Sequence, residues 1–464
     1  MPPGDMAIAA AHAPTEAIPQ LTTALSGWGG GAKVPVTMIR PRSTQELVEA
    51  VASAPAKAAI ARGGGRSYGD AAQLRDGLVV ELSALDAYKL DADAGVLTAQ
   101  TGTTLGRLLP VLASRGWALP VVPGTQHVTV GGAIAGDVHG KNHREIGTFG
   151  AHVLALGLVT ASGEILELTP DQGGELLATT IGGMGLTGVI LWARIKLRRL
   201  SSAWLSVDTD RVQTLDAALS ALDEDGGAHR VAWLDLLGDA RVRGVVTRAE
   251  HLSQDPAGDH AGALTTVAAR IGVPSWWPGG LLRPGTVRAY NDLRFRRAPH
   301  RQRGQLEPFG RHMFPLDALS GWPRLYGRHG FVQYQCVVPR SRERTLESLI
   351  ADLRRSPVPC YLAVLKDLGA ENRAPLSFPL AGWTLALDMP RKAAGLEPLM
   401  QRFDEHVAEA GGRVYLSKDS RLAPELLAAM YPRLERWRDV RDQADPERRW
   451  RSDLGVRTGL VAAG

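Results

Sequence analysis

Residues 61–72 read ARGGGRSYGDAA. Three adjacent glycines, Gly63, Gly64 and Gly65, leave a backbone without Cβ atoms that can take positive φ and lie against a ligand. A second glycine-rich stretch, VVPGTQHVTVGGAIAGDVHGKNH, follows at 121–143. Closely spaced backbone N–H groups of this kind can hold a pyrophosphate without a Walker lysine. A single such loop is commonly only a turn, but two in one domain make the pyrophosphate reading stronger. His139 and His143 stand four residues apart, a spacing that holds metal on a helix. The intervening Gly140 and the lack of a carboxylate partner argue against zinc, and no metal site is expected. In GFVQYQCVVP the residues Gln333 and Gln335 alternate with Tyr334 and so share one face of a strand. Two amides on one face of an apolar strand suit hydrogen bonding to sugar hydroxyls.

The elements that must position these residues are readable in outline. VPVTMIRP at 34–41 reads as a strand, and Ser43 with Glu46 forms a capping-box pattern that opens a helix. KAAIARGGG reads as a strand running into the glycine loop, with further strands at GLVVELSAL and GVLTAQTG and a helix at 104–116. Residues 121–143 are expected to be irregular, and LALGLVTASGEILELT to be a hairpin. No strand enters a G-x-G-x-x-G helix, so a Rossmann domain is not the frame. From about residue 203 strand-like RVAWLDLL, GFVQYQCVVP, YLAVLKDLG and WTLALDM alternate with helical RTLESLIADLRR. That order predicts an antiparallel sheet with helices on one face. Residues 253–285, ending in PSWWPGGLLRPG, read as a long mobile loop. The expected class is α+β, with a disordered tail over 1–20, a cofactor domain over 21–202, a substrate domain over 203–413 and a returning segment over 414–464.

The length of 464 residues is too great for one ordinary core. A net charge of +5 favours anionic partners weakly. Cys336 and Cys360 are the only cysteines, too few for a disulfide framework or a thiolate metal cluster. The first twenty residues lack the basic and apolar regions of a signal peptide, and no apolar run is long enough to cross a bilayer. VRAYNDLRFRRAPHRQR at 287–303 follows the Trp276–Trp277 pair. Aromatics beside a basic cluster suit peripheral contact with an anionic lipid surface. No nucleic-acid-binding module accompanies them, so nucleic acid is not an expected partner.

ARGGGRSYGD, PGTQHVTVGGAIAGDVHGKNH and TIGGMGLTGVI together resemble the FAD-binding domain of the vanillyl-alcohol oxidase / p-cresol methylhydroxylase superfamily. FVQYQCVVP, LSFPLAGWTLALDMP and VYLSKDSR narrow the resemblance to its branch acting on polyprenylphosphoryl ribose, from about residue 34 to the C-terminus. The resemblance implies a two-domain FAD oxidoreductase. Many superfamily members bond the flavin through a histidine at the position of Arg66; arginine forms no such bond, so the implied FAD is non-covalent. By the same match Arg62, Gly63, Gly64, Gly65, Arg66, Ser67, Tyr68, Gly69 and Asp70 wrap the cofactor from one side. Gly124, Thr125, Thr129, Gly131, Gly132, Gly136, Asp137 and His139 line the other, and Ile190 and Tyr415 complete the site. Lys418 and Tyr68 are the implied catalytic pair, Lys418 acting either as base or as electrostatic stabiliser. Substrate contacts implied are Lys141, Trp233, Gln333, Gln335, Lys366, Thr384, Ala386 and Lys418. Members sensitive to nitroaromatic inhibitors carry a cysteine where Ala386 stands, and an asparagine is common at Thr384.

The implied reaction is oxidation of the C2 hydroxyl of polyprenylphosphoryl ribose. A separate NAD(P)H-dependent keto-reductase would complete the epimerisation to a cell-wall arabinose donor. The chain would then sit at the periphery of the plasma membrane, on a side the sequence does not specify. An oxidase of another polyol, nucleoside or small sugar is the alternative, to be told apart by turnover of a lipid-free sugar. A non-catalytic lipid- or nucleic-acid-binding protein would carry no yellow cofactor.

Overall fold

The computed structural model describes residues 18–53, 58–237, 242–254 and 264–462. Of the tail expected over 1–20, residues 1–17 lie outside this set. Ile18 packs against the cluster of Ile39, Leu47 and Val80. Two sheets build the first half. In the first, Leu21–Leu25, Val34–Ile39, Leu78–Glu81 and Ala59–Arg62 lie side by side in that order. The last two pairings are parallel, so Ala59–Arg62 delivers the chain into the glycine loop at one end of the sheet. Ser43 caps the helix Thr44–Ala52 by accepting from the Glu46 N–H at 3.1 Å. Glu46 reaches back to the Arg42 N–H at 2.7 Å, one residue before the cap. The second sheet is antiparallel, ordered Tyr88–Asp91, Val96–Gln100, Val189–Lys196, Val153–Val159 and Ile165–Leu168. Its last pair is the expected hairpin.

The stretch 121–143 is less irregular than expected, because it holds the short helix Val130–Ala135. Thr129 caps it, accepting from the Gly132 N–H at 3.2 Å. Val130, Ala133 and Ile134 are fully buried, and their packing outweighs the weak helix propensity of the two glycines.

The second half is one eight-stranded sheet. Its order is Arg301–Pro308, Trp204–Val212, Arg243–His251, His229–Asp235, Leu362–Leu368, Gly382–Pro390, Phe331–Pro339 and Arg413–Val414. Every pairing is antiparallel. Leu215–Asp223, Arg344–Arg355 and Leu396–Glu409 are helices whose apolar sides join one core with Tyr334, Cys336, Leu365, Leu385 and Leu387 of this sheet. Strand alternation then sends Gln333, Gln335, Ala386 and Val364 to the opposite face. Gln335, Ala386, Val364 and Trp233 stand directly opposite one another in one row across four strands. Cys336 and Cys360 are free, buried thiols.

Of the loop expected over 253–285, residues 255–263 lie outside the described set. The part from 264 to 283 is irregular except for Ile271–Gly272, which pairs in parallel with Leu319–Ser320. After Val414 the chain packs back onto the first half. The Trp437 indole donates to the Thr179 carbonyl at 3.0 Å, and Arg441 Nε donates to the Leu186 carbonyl at 3.2 Å. Ala59 exchanges backbone hydrogen bonds with Arg449 and Arg451, which covers the edge of the Ala59–Arg62 strand.

Candidate active site

The open face of the large sheet looks onto the two glycine loops across a cavity of ≈ 530 Å³. Gly63, Gly64, Gly65, Arg66, Ser67 and Tyr68 form one wall, with Gly124, Thr125, Thr129, Gly131, Gly132, Gly136, His139 and Ile190 beside them. Gln333, Gln335, Lys366 and Ala386 come from the sheet, and Tyr415 and Lys418 from the segment that leaves it.

The glycines are required by space. A Cβ on Gly63 would stand 2.2 Å from Thr129 Oγ1, and one on Gly64 would stand 2.5 Å from the His127 carbonyl oxygen. Gly65 has φ +61°, a conformation that disfavours side chains. Among the described residues the N–H groups of Gly64, Gly65 and Arg66 find no protein acceptor. The Arg66 guanidinium lies 3.9 Å from the centre of the Trp28 ring, and its Nε is buried without a partner. Unpaired donors converging on a bare backbone fit the pyrophosphate of a dinucleotide.

Tyr68 and Lys418 meet where the cradle joins the sheet. The Tyr68 N–H donates to the Ser417 carbonyl at 3.0 Å, and Lys418 Nζ stands 3.5 Å from the centre of the Tyr68 ring. Arg457 bonds both Asp70 and Asp419 at 2.9 Å, tying the end of the glycine loop to the residue after Lys418. Burial lowers the Lys418 pKa to about 7; Asp388 raises it and Lys366 lowers it. Burial alone takes Lys366 down to about 8. His139 is held well below its ordinary value by burial and by the nearby Lys366, His143 and Lys418, so it is neutral. Its Nε2 lies 3.0 Å from Gln335 Nε2, which also donates to Thr384 Oγ1 at 3.1 Å.

Seven residues expected at the site stand outside the cavity wall. Arg62 donates to the carbonyls of Ala72 and Ser26 and so shapes the loop from behind. Gly69 packs against the Asp419 backbone and Asp70 pairs with Arg457. Asp137 is fully buried and accepts from Gly150 N, Asn372 Nδ2 and Ser377 Oγ, an anchor for the loop that carries His139. The Lys141 ammonium bonds the His312 carbonyl, and Thr384 lies behind Gln335. Trp233 lies one strand beyond Val364, with the Arg294 guanidinium 4.9 Å from the centre of its ring. His139 and His143 have ring centres 6.3 Å apart, and His143 Nδ1 accepts from Gly369 N–H.

Other residues of the site escaped sequence reasoning. Asp317 accepts from Thr125 Oγ1 and Gln126 N, both at 2.8 Å, linking the second glycine loop to the large-sheet half. His127, Trp28, Met184 and Trp322 also line the cavity. Asp388 lies beside Gln333 and is 1% exposed. Its signal was present, since Thr384, Ala386 and Asp388 recur at period two in an apolar strand; the others come from turns without periodicity.

Residues 35–169 match the family model described as FAD binding domain, and residues 385–457 match that of D-arabinono-1,4-lactone oxidase. The chain carries an FAD-binding domain and is an FAD-dependent oxidoreductase. Decaprenylphosphoryl-beta-D-ribose oxidase of Mycolicibacterium smegmatis is 37% identical over 96% of this chain and 100% of its own length. L-gulono-1,4-lactone dehydrogenase of Mycobacterium tuberculosis is 26% identical over 92% of this chain and 97% of its own. L-gulonolactone oxidase of Bos taurus is 31% identical over 34% of this chain and 36% of its own.

Proposed function

The chain belongs to the decaprenylphosphoryl-β-D-ribose oxidase family, and from that premise we propose that it oxidises the C2 hydroxyl of a polyprenylphosphoryl-β-D-ribose to the 2-keto sugar. The observation that carries this reading is a single corner where Lys418, on the Tyr68 ring, meets the amide-bearing sheet face above the glycine cradle. FAD, when bound, supplies the two-electron acceptor.

The chain's own residues do the rest. The loops from Gly63 to Ser67 and around Gly124 hold the cofactor without a covalent bond, since Arg66 occupies the bonding position. The Gln333 and Gln335 amides orient the sugar by hydrogen bonds to its hydroxyls. The hydroxyl proton passes to water in the cavity while the Lys418 ammonium stabilises the oxygen, a charge-developing step that gains from a fixed, partly desolvated cation. Neutral His139 fixes Gln335 and adds no competing positive charge.

The same reading places a separate NAD(P)H-dependent keto-reductase downstream, so that the two enzymes complete an epimerisation for cell-wall arabinan. It also places the chain at a membrane surface. Ile271, Trp276 and Leu281, in the stretch before the 284–297 helix, and Tyr290 within it are at least half exposed, and the helix ends in Arg294, Arg296 and Arg297. No helix among the described residues is long and apolar enough to cross a membrane. Arg301 and Arg303 of the basic stretch pair with Asp210 and Arg294 stacks on Trp233, so Arg296 and Arg297 are the helix arginines offered to lipid phosphate.

The test is anaerobic mixing with polyprenylphosphoryl ribose while flavin absorbance is followed. Bleaching with formation of the 2-keto sugar supports the proposal; a flavin that stays oxidised overturns it. The lactone-oxidase match over 385–457 favours one second reading, oxidation of a lipid-free sugar or lactone. Efficient bleaching by the free sugar alone would select it.

A further inference from the structure

Asp388 is a charged side chain inside an apolar strand, 1% exposed. Its backbone stands directly opposite Gln333, and its Oδ1 accepts from Gln333 Nε2 at 2.5 Å. Oδ2 is buried without a hydrogen-bond partner. A carboxylate withdrawn from water with one oxygen unsatisfied is costly to keep. Its surroundings give the reason. Gln333 and Tyr68 line the same cavity, and the Lys418 ammonium sits on the Tyr68 ring. Asp388 therefore braces Gln333 from behind the wall on which Tyr68 and Lys418 stand, although Asp388 and Lys418 share no direct ion pair.

We infer that Asp388 is a positioning residue: its carboxylate is the buried counter-charge of Lys418, and it turns the Gln333 amide so that the carbonyl oxygen is left for a substrate hydroxyl. An ionised carboxylate only accepts hydrogen bonds, so while Asp388 carries its charge Gln333 must present its NH2 to it. An amide N–H is then spent on Asp388, and the amide oxygen, which the carboxylate cannot engage, is the acceptor left for the cavity. At Lys418 the carboxylate opposes two influences, loss of water and the like charge of Lys366. The other titratable groups facing Asp388 are Tyr68, Tyr326 and Cys360, which burial keeps protonated and neutral. Within about one pH unit of neutrality the groups of the corner that change charge are thus Asp388, Lys418 and Lys366, beside the fixed charge of Arg66. Burial raises Asp388 to about 7, with Gln333 and Lys418 opposing the rise.

The inference rests on the proposed sugar-oxidising site, but its first test needs no sugar. The pH dependence of Lys418 acetylation by acetic anhydride is read by peptide mass spectrometry in the FAD-loaded protein and in Asp388→Asn. Removing the carboxylate removes the influence that keeps the proton on Lys418, so the labelling midpoint should fall by about one pH unit. An unchanged midpoint overturns the inference. If Asp388→Asn fails to fold, the coupling is read from the other partner. In Lys418→Met the buried carboxyl, followed by its infrared stretch, should titrate at higher pH than in the parent, because coupling between two sites is reciprocal. An identical titration overturns the inference as well. With substrate, Asp388→Asn should reduce its flavin about tenfold more slowly at pH 8 than at pH 6 relative to the parent, with Asp388→Glu restoring part of the loss. A uniform loss at all pH values would mark Asp388 as structural only.

Discussion

At Lys418 burial and Lys366 work against Asp388 and leave a partly desolvated ammonium whose proton is poised near neutrality. Such a group has most to offer where negative charge develops, and least to offer in holding the cofactor, which lies in the glycine cradle. Lys418→Ala should therefore retain FAD and lower the rate of flavin reduction by about two orders of magnitude or more. Stopped-flow reduction under anaerobic conditions reads this directly; a parental rate would make the lysine structural. Ala386 faces the cavity between Gln335 and Val364 and carries no nucleophile. Nitroaromatic compounds should inhibit reversibly at most, while Ala386→Cys should bring time-dependent inactivation and an adduct visible in the intact mass. An adduct on the parent at Cys336 or Cys360 would mean that a different residue faces the flavin.

At the scale of elements, the returning C-terminal segment holds the cofactor half in place. Arg441 and Asp445 form a buried pair at 2.9 Å with neither side chain exposed, and Asp445 also accepts from the N–H groups of Arg449 and Trp450. Those residues cover the strand that enters the glycine loop. Asp445→Ala leaves the buried Arg441 with only the part-exposed Asp442 as counter-charge and unpairs the Arg449 and Trp450 N–H groups, and should cost about 3–5 kcal/mol, measured by denaturant unfolding. A second prediction belongs to the loop before the 284–297 helix. Trp276 is 75% exposed, and Trp277 beside it is half-buried. Replacing both by serine should raise KM for a long-chain substrate more than for a short-chain analogue. Equal effects on both substrates would remove the membrane role from this loop.

For the molecule as a whole, the cavity exists only because two separately built halves face each other, joined by contacts such as Asp317 on Thr125 and Arg457 on Asp70 and Asp419. FAD held between them without a bond should leave with the supernatant when the protein is precipitated by acid. It should also stabilise the fold, by about 2.7 kcal/mol when free FAD is a hundredfold above its Kd. Flavin that stays on the precipitated chain would contradict the first expectation, and a Tm indifferent to added FAD the second.

What could be read without coordinates were the features carried by local rules. Glycine runs, a capping residue such as Ser43 and period-two alternation in VQYQ each depend on neighbours a few residues away, so the cradle, the α+β class and the shared face of Gln333 and Gln335 were legible. The family resemblance added Lys418, which no local pattern marks. Side-chain direction and burial were not legible. Asp137 and Arg62 belong to the conspicuous loops yet brace them from behind, because a fully buried carboxylate is stabilised only where several donors surround it. Trp233 shares the row of Ala386 but lies one strand too far across, a matter of sheet order. Asp388 comes within electrostatic range of Lys418 only through strand register and a loop that returns from the far end of the chain. Such placements follow from packing between segments hundreds of residues apart, where charge, burial and unmet hydrogen bonds are settled together.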